Sequence, residues 1–401
     1  MITPWGNRLE EQISPLKDGR SALANWDFGY SKVGAPLAPD VFDRWLADLT
    51  KRIHDEALIR KFVRQLRGAA FATRVGVMAA VEAMLQAGYG LFPEPDETTG
   101  VIICGHQFQS NHLFDNHTRF IQNPESIDPL LGLTSIDTYV GSVVSELFSL
   151  QGPCLQVGAA CASGNMGLMT ALDMIRAARA QRVLVVAPPC EMHAMGLHSW
   201  VMLDAIVFRS FQNDPTAASR PFDPQREGFI PSQCAAAMVL ENCSLKSERR
   251  LAQLSGAAAN SNANRQTQPS EQRAVSLMLA ACENAKIAFT DLSAINAHAT
   301  STPVGDAVEA AAIKNLAGLS IPVQATKSLL GHSLSASSLV EAVVSVLQIR
   351  NSFLHPSINL TGNHGLGIDV VRESARTMPL KHILSNAFGF GGLNAAVVIS
   401  G

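Results

Sequence analysis

Short apolar runs and longer segments with helical spacing alternate along most of the chain. The runs Gly100–Gly105 and Arg182–Ala187 are apolar almost throughout, which is typical of central strands that are covered on both faces. Further short runs predict strands in the second half of the chain, near Ala252–Ala258, Ala294–Ala297, Pro322–Ala325 and Ala395–Ser400.

Segments whose apolar residues recur every three or four positions predict the helices. Asp40–Gly90 contains two such stretches, and the second, Ala69–Ala87, is rich in alanine and methionine and is expected to be buried. In the second half, helices are predicted near Gln272–Ala285, Asp306–Leu316 and Ser335–Arg350. Strands that alternate with helices in this way predict an α/β chain with mainly parallel strand pairing.

Two segments lack a clear period. His106–Gly141 carries several histidines and asparagines without a repeating apolar spacing. We expect it to form an irregular excursion that covers a functional site or contacts a partner subunit. Ser219–Glu241 is punctuated by proline and glycine before it becomes apolar, which predicts a loop that runs into a strand.

The chain is organised around Leu155–Arg179, in which an apolar run ends in a cluster of small residues that carries Cys161. Apolar residues then recur at helical spacing and predict a largely buried helix. A strand, a tight turn and a helix place Cys161 at a helix N-terminus, where the macrodipole favours a thiolate. A lone cysteine in an apolar run is more often an inert packing residue, so its assignment depends on other parts of the chain.

Val323–Leu347 repeats the plan of Leu155–Arg179: a short apolar strand, a turn rich in small residues and a buried helix. Two copies of one strand–turn–helix unit suggest a pseudo-twofold arrangement. A functional site between the two copies would receive side chains from both turns.

Composition excludes several classes of protein. The 401 residues are 47% hydrophobic, enough to bury a large core in two closely packed halves. The net charge of −3 argues against a general nucleic-acid-binding protein. The sequence has no uninterrupted apolar stretch of membrane-spanning length and no signal peptide, so a cytoplasmic location is expected. The seven cysteines form no Cys-x-x-Cys pair, which favours reduced thiols.

Three other stretches carry groups that suit catalysis. Asn296–Asp306 places His298 and several hydroxyl groups at a strand end, although a lone histidine there is more often a satisfied structural residue. Thr326–His332 contains Lys327 at a buried turn, and a buried lysine needs an anionic or hydrogen-bonding partner. Asn386–Asn394 interleaves aromatic residues with glycines, so its backbone can approach a ligand closely; the simpler interpretation is a plain turn.

A thiol, two histidines and a glycine-rich loop together suit acyl transfer through a thioester. The thiolate of Cys161 would attack, and backbone N–H donors would hold the oxyanion. Neutral imidazoles of His298 and His332 would donate to a second developing negative charge. A metal site is the competing use of cysteine and histidine, but no part of the sequence has the ligand spacing.

The motifs ACASG around Cys161, RPFDPQREGF, NAHATSTPVGD, TKSLLGH and NAFGFGGLN occur in the order and spacing typical of β-ketoacyl-acyl carrier protein synthases. Over its whole length the chain resembles the Cys-His-His type that elongates acyl chains in fatty acid and type II polyketide synthesis. The resemblance implies a thiolase-like fold with two pseudo-symmetric βαβαβαββ halves, 1–242 and 243–401, in an α-β-α-β-α arrangement. The first half would carry the nucleophile, and the second the two histidines and the glycine-rich loop.

The resemblance also implies roles for single residues. Cys161 would accept the acyl group, while His298 and His332 would bind the malonyl thioester carbonyl and promote its decarboxylation. Lys327, supported by Glu341, would orient and polarise the His332 region. No metal or bound cofactor is implied.

Substrates would arrive on the 4′-phosphopantetheine arm of an acyl carrier protein. Thr300 and Thr302 would hold this arm, and the backbone N–H groups of Cys161 and Phe390 would form the oxyanion hole. The aromatic residues expected beside the substrate are Phe229, Phe388 and Phe390. The basic residues that could contact an acidic carrier protein are Lys61, Arg64, Arg67 and Arg209. A homodimer, or a heterodimer with a ketosynthase-like partner, is expected.

Several positions depart from the family pattern. The usual first strand before the equivalent of Met1–Asn7 is absent, Ala299 stands where glycine is usual, and Leu393 stands where threonine is common. The segments Pro231–Cys234 and Ser333–Ser338 replace glycine-rich runs. None of these changes affects the nucleophile or the two histidines, so we interpret them as marks of a specialised pathway.

Two other functions are compatible with these motifs. The enzyme could transfer the acyl group from Cys161 to an oxygen or nitrogen nucleophile without decarboxylation. The chain could instead be a non-catalytic chain-length partner of a ketosynthase heterodimer, although such partners generally lack the nucleophile. The loss of the cysteine would likewise be expected in a relative that only decarboxylates.

Overall fold

Two mixed β-sheets and three layers of helices form the fold. The computed structural model describes residues 1–29, 31–245, 247–264, 268–362 and 366–401. Its α-helices are α1 (Ile13–Lys17), α2 (Val41–Arg52), α3 (Glu56–Gln65), α4 (Phe71–Ala87), α5 (Ser110–Gln122), α6 (Leu131–Thr134), α7 (Tyr139–Leu147), α8 (Ser163–Arg176), α9 (Ala194–Met202), α10 (Glu271–Asn284), α11 (Pro303–Leu316), α12 (Lys327–Leu330) and α13 (Ser337–Asn351). Its strands are β1 (Ala24–Asn25), β2 (Val33–Gly34), β3 (Thr99–Cys104), β4 (Cys154–Val157), β5 (Arg182–Ala187), β6 (Ala236–Glu241), β7 (Gln253–Ser261), β8 (Ala294–Asn296), β9 (Pro322–Gln324), β10 (Phe353–Leu354), β11 (Asp369–Val370), β12 (Arg376–Thr377), β13 (His382–Gly389) and β14 (Leu393–Ser400).

The layers follow from the sheets that each helix contacts. α4 and α7 pack against the sheet that contains β3, β5 and β6. α8 lies between the two sheets, since it contacts β3 and β5 on one side and β7 and β14 on the other; α13 likewise contacts β6, β13 and β14. α10 covers β7 and β14 from outside, with α11 packed against it. This α-β-α-β-α order confirms the predicted thiolase-like fold.

The two sheets repeat one pairing scheme. The first has the strand order β4-β3-β5-β6, and the second contains β9-β8-β13-β14 in the same relation. In each, a central strand pairs in parallel on both sides, and the last strand turns back antiparallel. Five of the eight strand pairs in these two sheets are parallel, which confirms the predicted mainly parallel pairing; the antiparallel pairs arise because the final strand of each half reverses direction. The division at residue 242 stays a prediction.

β7 has no counterpart in the first sheet. It pairs antiparallel with β14 over its whole length. The corresponding edge of β6 is bordered, within the described ranges, only by an isolated antiparallel bridge between Ile2 and Ala235. No strand of the described residues pairs with this edge of β6.

Two helical predictions are wrong. Asp40–Gly90 forms three helices rather than two, because a break after Arg52 is followed by a new start at Asp55, whose side chain accepts from the N–H of Leu58 at 2.9 Å. His106–Gly141 contains the helix α5 rather than an irregular excursion. Asn116 is the buried residue of α5, so the helix shows no core-facing apolar stripe. No helix in the described part of the chain is long and apolar enough to cross a membrane.

Six strands were not predicted: the two-residue strands β1, β2, β10, β11 and β12, and the long strand β13. β13 ends at Gly389 and β14 begins at Leu393, both within the segment Asn386–Asn394. Phe388 pairs with Asn394 and Gly389 with Leu393. The glycine-rich segment is therefore the tip of a β-hairpin rather than a separate loop.

The two central helices bring the two halves together. α13 is buried from Ser337 to Ile349, and Gly164 of α8 lies against it. A Cβ atom on Gly164 would come within 2.3 Å of the backbone nitrogen of Leu339. Because a real side chain cannot approach so closely, glycine allows the helices to cross here. The crossing places the turn before α8 beside the turn before α13.

Candidate active site

The turn before α8 holds Cys161. β4 ends at Val157 and α8 begins at Ser163, and Cys161 is 6% exposed. The Ser163 hydroxyl donates to the carbonyl of Ala160 at 2.6 Å and accepts from the N–H of Ala159 at 2.8 Å. Ala160 has a φ of +47°, a conformation that bulky side chains rarely adopt. The cluster of small residues is therefore required by the shape of the turn.

The Cys161 sulfur contacts a histidine. His332 Nε2 lies 3.1 Å from Sγ. Burial raises the pKa of the thiol to about 11, while Lys327 and the backbone N–H groups of Phe390 and Cys161 lower it. Burial therefore opposes the thiolate that a helix N-terminus is expected to favour. The resting site holds a protonated thiol beside a base.

His332 follows α12, and its backbone is held on both sides. Its N–H donates to the carbonyl of Ile230 at 2.7 Å, and its carbonyl accepts from the N–H of Ser232 at 3.1 Å. Pro231–Cys234, one of the unusual segments, therefore positions this histidine directly. Burial, and then the charge of Lys327, lower the pKa of His332 well below 6.5. The ring is neutral near pH 7 and can accept the thiol proton.

His298 lies just after β8 and is 7% exposed. Its ring stands edge to face with the rings of His332 and Phe388, at centroid distances of 5.6 Å and 5.7 Å. Burial, followed by the charge of Lys327 and by His332, lowers the pKa of His298 well below 6.5. Two neutral imidazoles thus lie side by side, and one of them contacts Cys161.

Lys327 and Glu341 form a buried ion pair beside the histidines. Lys327 Nζ lies 2.5 Å from Glu341 Oε1 and 3.4 Å from His298 Nδ1, which supplies the partner that a buried lysine needs. Burial raises the pKa of Glu341 to about 7, and Lys327 acts in the opposite direction. Lys327 contacts His298 directly, whereas the sequence analysis expected it to orient the His332 region. The charge of the lysine lowers the pKa of both rings.

Glu309, on α11, is a buried carboxylate that sequence reasoning missed. Its two oxygens accept the backbone N–H groups of His298 at 2.9 Å and Ala299 at 2.8 Å, and Oε1 also accepts from Asn386 Nδ2 at 3.1 Å. Ala299 has a φ of +25°, so the carboxylate holds a strained turn in place. A signal existed, since Asp306 and Glu309 are acidic residues three apart on a helix that is otherwise mostly apolar.

Phe390 lies at the tip of the β13–β14 hairpin and is 40% exposed. Gly391 and Gly392 follow it with φ values of +84° and +75°, which glycine adopts without steric strain. The backbone N–H of Phe390 acts on the Cys161 sulfur. The hairpin tip therefore directs a backbone donor at the nucleophile.

The remaining predicted substrate contacts flank the histidines. Thr300 and Thr302 are half-buried, and their hydroxyl oxygens lie 3.0 Å apart. The Phe229 ring stands edge to face with His332 at 5.3 Å and with Trp200 at 5.7 Å. Trp200 was not predicted, because its sequence neighbourhood has no distinctive motif. The buried apolar cluster that includes Phe229 also contains Cys190, Val201, Ala205, Ile206 and Leu334.

The basic residues predicted to contact a carrier protein lie on the surface. Lys61 and Arg64 are exposed on α3, and Arg67 is exposed just after it. Arg209 forms an ion pair with Asp204 at 2.5 Å, so part of its charge is neutralised. The structure does not bring these four residues into the cluster around Cys161.

Comparison with known proteins identifies the family of the chain. The family model of the β-ketoacyl synthase N-terminal domain matches residues 1–245, and that of the β-ketoacyl synthase C-terminal domain matches residues 251–361. The polyketide biosynthesis malonyl-ACP decarboxylase PksF of Bacillus subtilis (strain 168) is 30% identical over 339 residues, which cover 84% of this chain and 81% of that protein. The 3-oxoacyl-[acyl-carrier-protein] synthase 2 of Vibrio harveyi is 28% identical over 410 residues, which cover 99% of this chain and 96% of that protein.

Solved structures share the fold. A β-ketoacyl synthase from Burkholderia phymatum STM815 superposes with a TM-score of 0.85 at 24% identity, over 100% of this chain and 97% of that one. A type II polyketide ketosynthase in complex with its acyl carrier protein also has a TM-score of 0.85, at 22% identity, over 100% and 96% of the two chains. The fold is that of the thiolase-like condensing enzymes. The chain belongs to the β-ketoacyl synthase family.

Proposed function

We propose that the protein catalyses decarboxylative Claisen condensation between an acyl group on Cys161 and a malonyl-type unit on an acyl carrier protein. The observation that carries this proposal is the contact of 3.1 Å between the Cys161 sulfur and His332 Nε2, with the neutral ring of His298 beside it. A thiol next to a base suits nucleophilic catalysis, and a second neutral imidazole suits stabilisation of an enolate.

The first step loads the enzyme. His332 takes the proton of Cys161 as the sulfur attacks the acyl thioester, and the backbone N–H groups of Cys161 and Phe390 stabilise the oxyanion. Collapse of the tetrahedral intermediate breaks the bond to the carrier thiol, which leaves with the proton. The products are acyl-Cys161 and the free carrier thiol.

The second step forms the carbon–carbon bond. His298, and His332 once its ring has shifted to the tautomer with the proton on Nε2, donate hydrogen bonds to the thioester carbonyl of the malonyl unit, so negative charge can develop there as the carboxylate leaves as CO₂. The resulting carbanion attacks the carbonyl of acyl-Cys161, and the sulfur is expelled as a thiolate, which takes up one proton from solvent to restore the resting thiol. Lys327 stabilises this state, because its positive charge lies 3.4 Å from His298 Nδ1.

Delivery of the substrates requires partners rather than a bound cofactor. Both substrates arrive on the 4′-phosphopantetheine arm of an acyl carrier protein, and Thr300 and Thr302 line its approach to the histidines. Lys61, Arg64 and Arg67 offer positive charge to an acidic carrier. We also infer a dimer, for which the exposed edge strand β4 is the candidate interface. A cytoplasmic location stays a prediction.

Decarboxylation without condensation is the second candidate. It is favoured by the similarity to PksF, whose name describes a malonyl-ACP decarboxylase. The thiol of Cys161 is superfluous in such a reaction, yet it is held against a base and two N–H donors. That arrangement supports condensation.

The deciding experiment loads the enzyme from an acyl carrier protein, adds malonyl-acyl carrier protein, and follows CO₂ release together with the intact mass of the carrier. Condensation predicts a β-ketoacyl product in equal amount to the CO₂. Release of CO₂ with no β-ketoacyl product, from any extender unit, would instead establish a decarboxylase. Formation of the acyl-enzyme without release of CO₂ would favour the alternative in which the acyl group is transferred to an oxygen or nitrogen nucleophile.

Two variants separate the steps. Cys161→Ala should abolish self-acylation, whereas His298→Ala should retain acylation and lower condensation by roughly 10²-fold or more. Cys282→Ala is the matched control, because it removes another buried thiol. Condensation at the wild-type rate by the His298→Ala variant would show that the role given to this histidine is wrong.

A further inference from the structure

A buried apolar cluster around Phe229 lies against the catalytic pair of Cys161 and His332. The Phe229 ring stands edge to face with His332 at a centroid distance of 5.3 Å. Burial raises the pKa of the Cys190 thiol to about 12, and the charge of Cys161 adds to this effect, so the cluster also lies near the nucleophile. The buried members of this Phe229 cluster are Cys190, Val201, Ala205, Ile206, Phe229 and Leu334.

Backbone and catalytic groups lie on the other sides of the sulfur. The N–H of Phe390 acts on it from the hairpin tip, and His298 lies beyond the ring of the other histidine. A Cβ atom on Gly389 would lie 2.6 Å from the carbonyl oxygen of Ala159, so the hairpin backbone closes directly onto the catalytic turn. The Phe229 cluster is therefore the apolar surface that a hydrocarbon chain on Cys161 would meet.

The Phe229 cluster is packed closely. Leu334 and Cys190 are 9% and 6% exposed, and Phe229 and Ile206 are 2% and 0% exposed. Side chains that lined an open channel would be more accessible, because a channel wide enough for a hydrocarbon chain also admits water. Among the described residues, these side chains therefore fill the space beside the catalytic pair, at the density that is usual for a protein interior.

Leu334 is held in the Phe229 cluster by an unusual backbone conformation. Its φ is +52°, which a leucine rarely adopts and which costs free energy. It follows His332 by two residues, in the segment Ser333–Ser338 that departs from the family pattern. Strained residues of this kind cluster at functional sites, so the position of this side chain beside His332 points to a role in the reaction.

The wall around Cys190 is fixed to other elements. Glu191 is buried, and its Oε2 accepts the N–H of Asn111 at 2.7 Å, in the first turn of α5. Cys190 Sγ lies 4.0 Å from the carbonyl oxygen of His106. Displacement of this wall by a long acyl chain would break a buried hydrogen bond, which is costly.

We propose that Leu334 and the rest of the Phe229 cluster restrict the acyl group on Cys161 to short chains such as acetyl. This inference rests on the proposed function, because it concerns the acyl group that Cys161 receives. In an open apolar pocket, burial of each added CH₂ would raise the loading rate roughly fourfold. In a filled site, each added CH₂ overpacks the cluster and lowers the rate. The two cases predict opposite trends with chain length.

The test follows loading of Cys161 by acetyl-, butanoyl- and octanoyl-pantetheine, which need no carrier protein. The intact mass of the full chain measures acylation, and Cys161→Ala gives the background. The rate should fall as the chain lengthens, and it should be about tenfold or more lower for octanoyl than for acetyl.

Variants locate the restriction. Leu334→Ala shortens the side chain beside His332 and should raise the ratio of octanoyl to acetyl loading by about tenfold. Leu277→Ala is the matched control and should keep the wild-type ratio, because it shortens a buried leucine in a different apolar cluster. Val201→Ala opens the Phe229 cluster from α9 and replaces Leu334→Ala if thermal unfolding shows that the latter does not fold.

Three outcomes would contradict the inference. Octanoyl loading as fast as acetyl loading in the wild type would exclude a size limit, while the loading step itself would stand. A wild-type ratio in the folded cluster variant would show that the Phe229 cluster does not set the limit. Failure of all three thioesters to acylate Cys161 would contradict the proposed function, and this inference would fall with it.

Discussion

Two histidines remain uncharged at the site because they are buried and, in addition, because a cation lies next to them. Lys327 lies within 3.4 Å of His298 Nδ1 and is neutralised on its other side by Glu341. Its charge opposes protonation of both rings and adds to the effect of burial. The lysine therefore extends to lower pH the range in which the imidazoles can accept and donate hydrogen bonds as neutral groups.

Replacement of Lys327 should shift the acid limb of the pH–rate profile to higher pH. In Lys327→Met the cation that opposes imidazolium formation is gone, so the pKa of His298 rises toward its ordinary value. Burial already raises the pKa of Glu341, and without the lysine this carboxyl takes up a proton and stays neutral. Between about pH 6 and pH 8, CO₂ release from malonyl-acyl carrier protein should fall more steeply toward the acid end in the variant than in the wild type. Lys51→Met, on an exposed face of α2, is the control; an unshifted profile in Lys327→Met would contradict the electrostatic role.

At the scale of elements, the meeting of α8 and α13 brings the two catalytic turns together. Asn165 Nδ2 donates across to the carbonyl of Ser385 at 3.0 Å, and its backbone N–H donates to Ser338 Oγ at 3.1 Å. The serine in this unusual Ser333–Ser338 segment thus anchors α8. Gly164 makes the contact possible, since no other residue fits against Leu339.

Gly164→Ala should destabilise the protein. The new methyl group meets backbone atoms that cannot move away easily, and overpacking of this kind costs about 1–3 kcal/mol. Gly132→Ala, on α6 with nothing within 4 Å of the added carbon, should be neutral or slightly stabilising. Denaturant unfolding measures both, and equal free energies of unfolding for the two variants would contradict the close crossing.

At the scale of the whole molecule, one end of the first sheet is open and apolar. β4 is the outermost strand, and Leu155 on it is 43% exposed. Leu133 on α6 and Ile136, two residues after this helix, are 62% and 51% exposed. Gln156 Nε2 on β4 donates to Asp137 Oδ2 at 3.3 Å, which connects the segment after α6 to β4. An apolar edge of this size suits a twofold interface in which two β4 strands pair.

A charge at this edge should prevent the proposed dimer from forming. Ile136→Asp would place a carboxylate in the apolar interface, where an unpaired charge is strongly unfavourable. Light scattering should show a dimer for the wild type and a monomer for the variant at the same concentration. Leu319→Asp, at a position that is 70% exposed on another surface, is the control. A dimer that survives Ile136→Asp unchanged would exclude β4 as the interface.

Local patterns were sufficient for much of the fold. Arg182–Ala187 is a strand with the predicted bounds, and Gln272–Ala285 corresponds to α10 within one residue, because a buried strand and an amphipathic helix impose periods that can be seen within a few residues. β13 was missed because the glycines and aromatic residues of Asn386–Asn394 are typical of a loop when seen alone. Its pairing with β8 and β14 depends on partners far away in the chain.

The sequence by itself determined which chemical groups are present and which turns carry them: the thiol of Cys161, the imidazoles of His298 and His332, and the cation of Lys327. Only the tertiary structure decided their protonation and their mutual contacts. The pKa of a thiol depends on how much water surrounds it, and the 3.1 Å contact with His332 joins residues from two separate turns. The tertiary structure also decided the hydrogen bonds of Glu309 to the backbone of His298 and Ala299. It decided which strand edges pair as well, because burial and strand pairing are properties of the assembled layers and of no single segment.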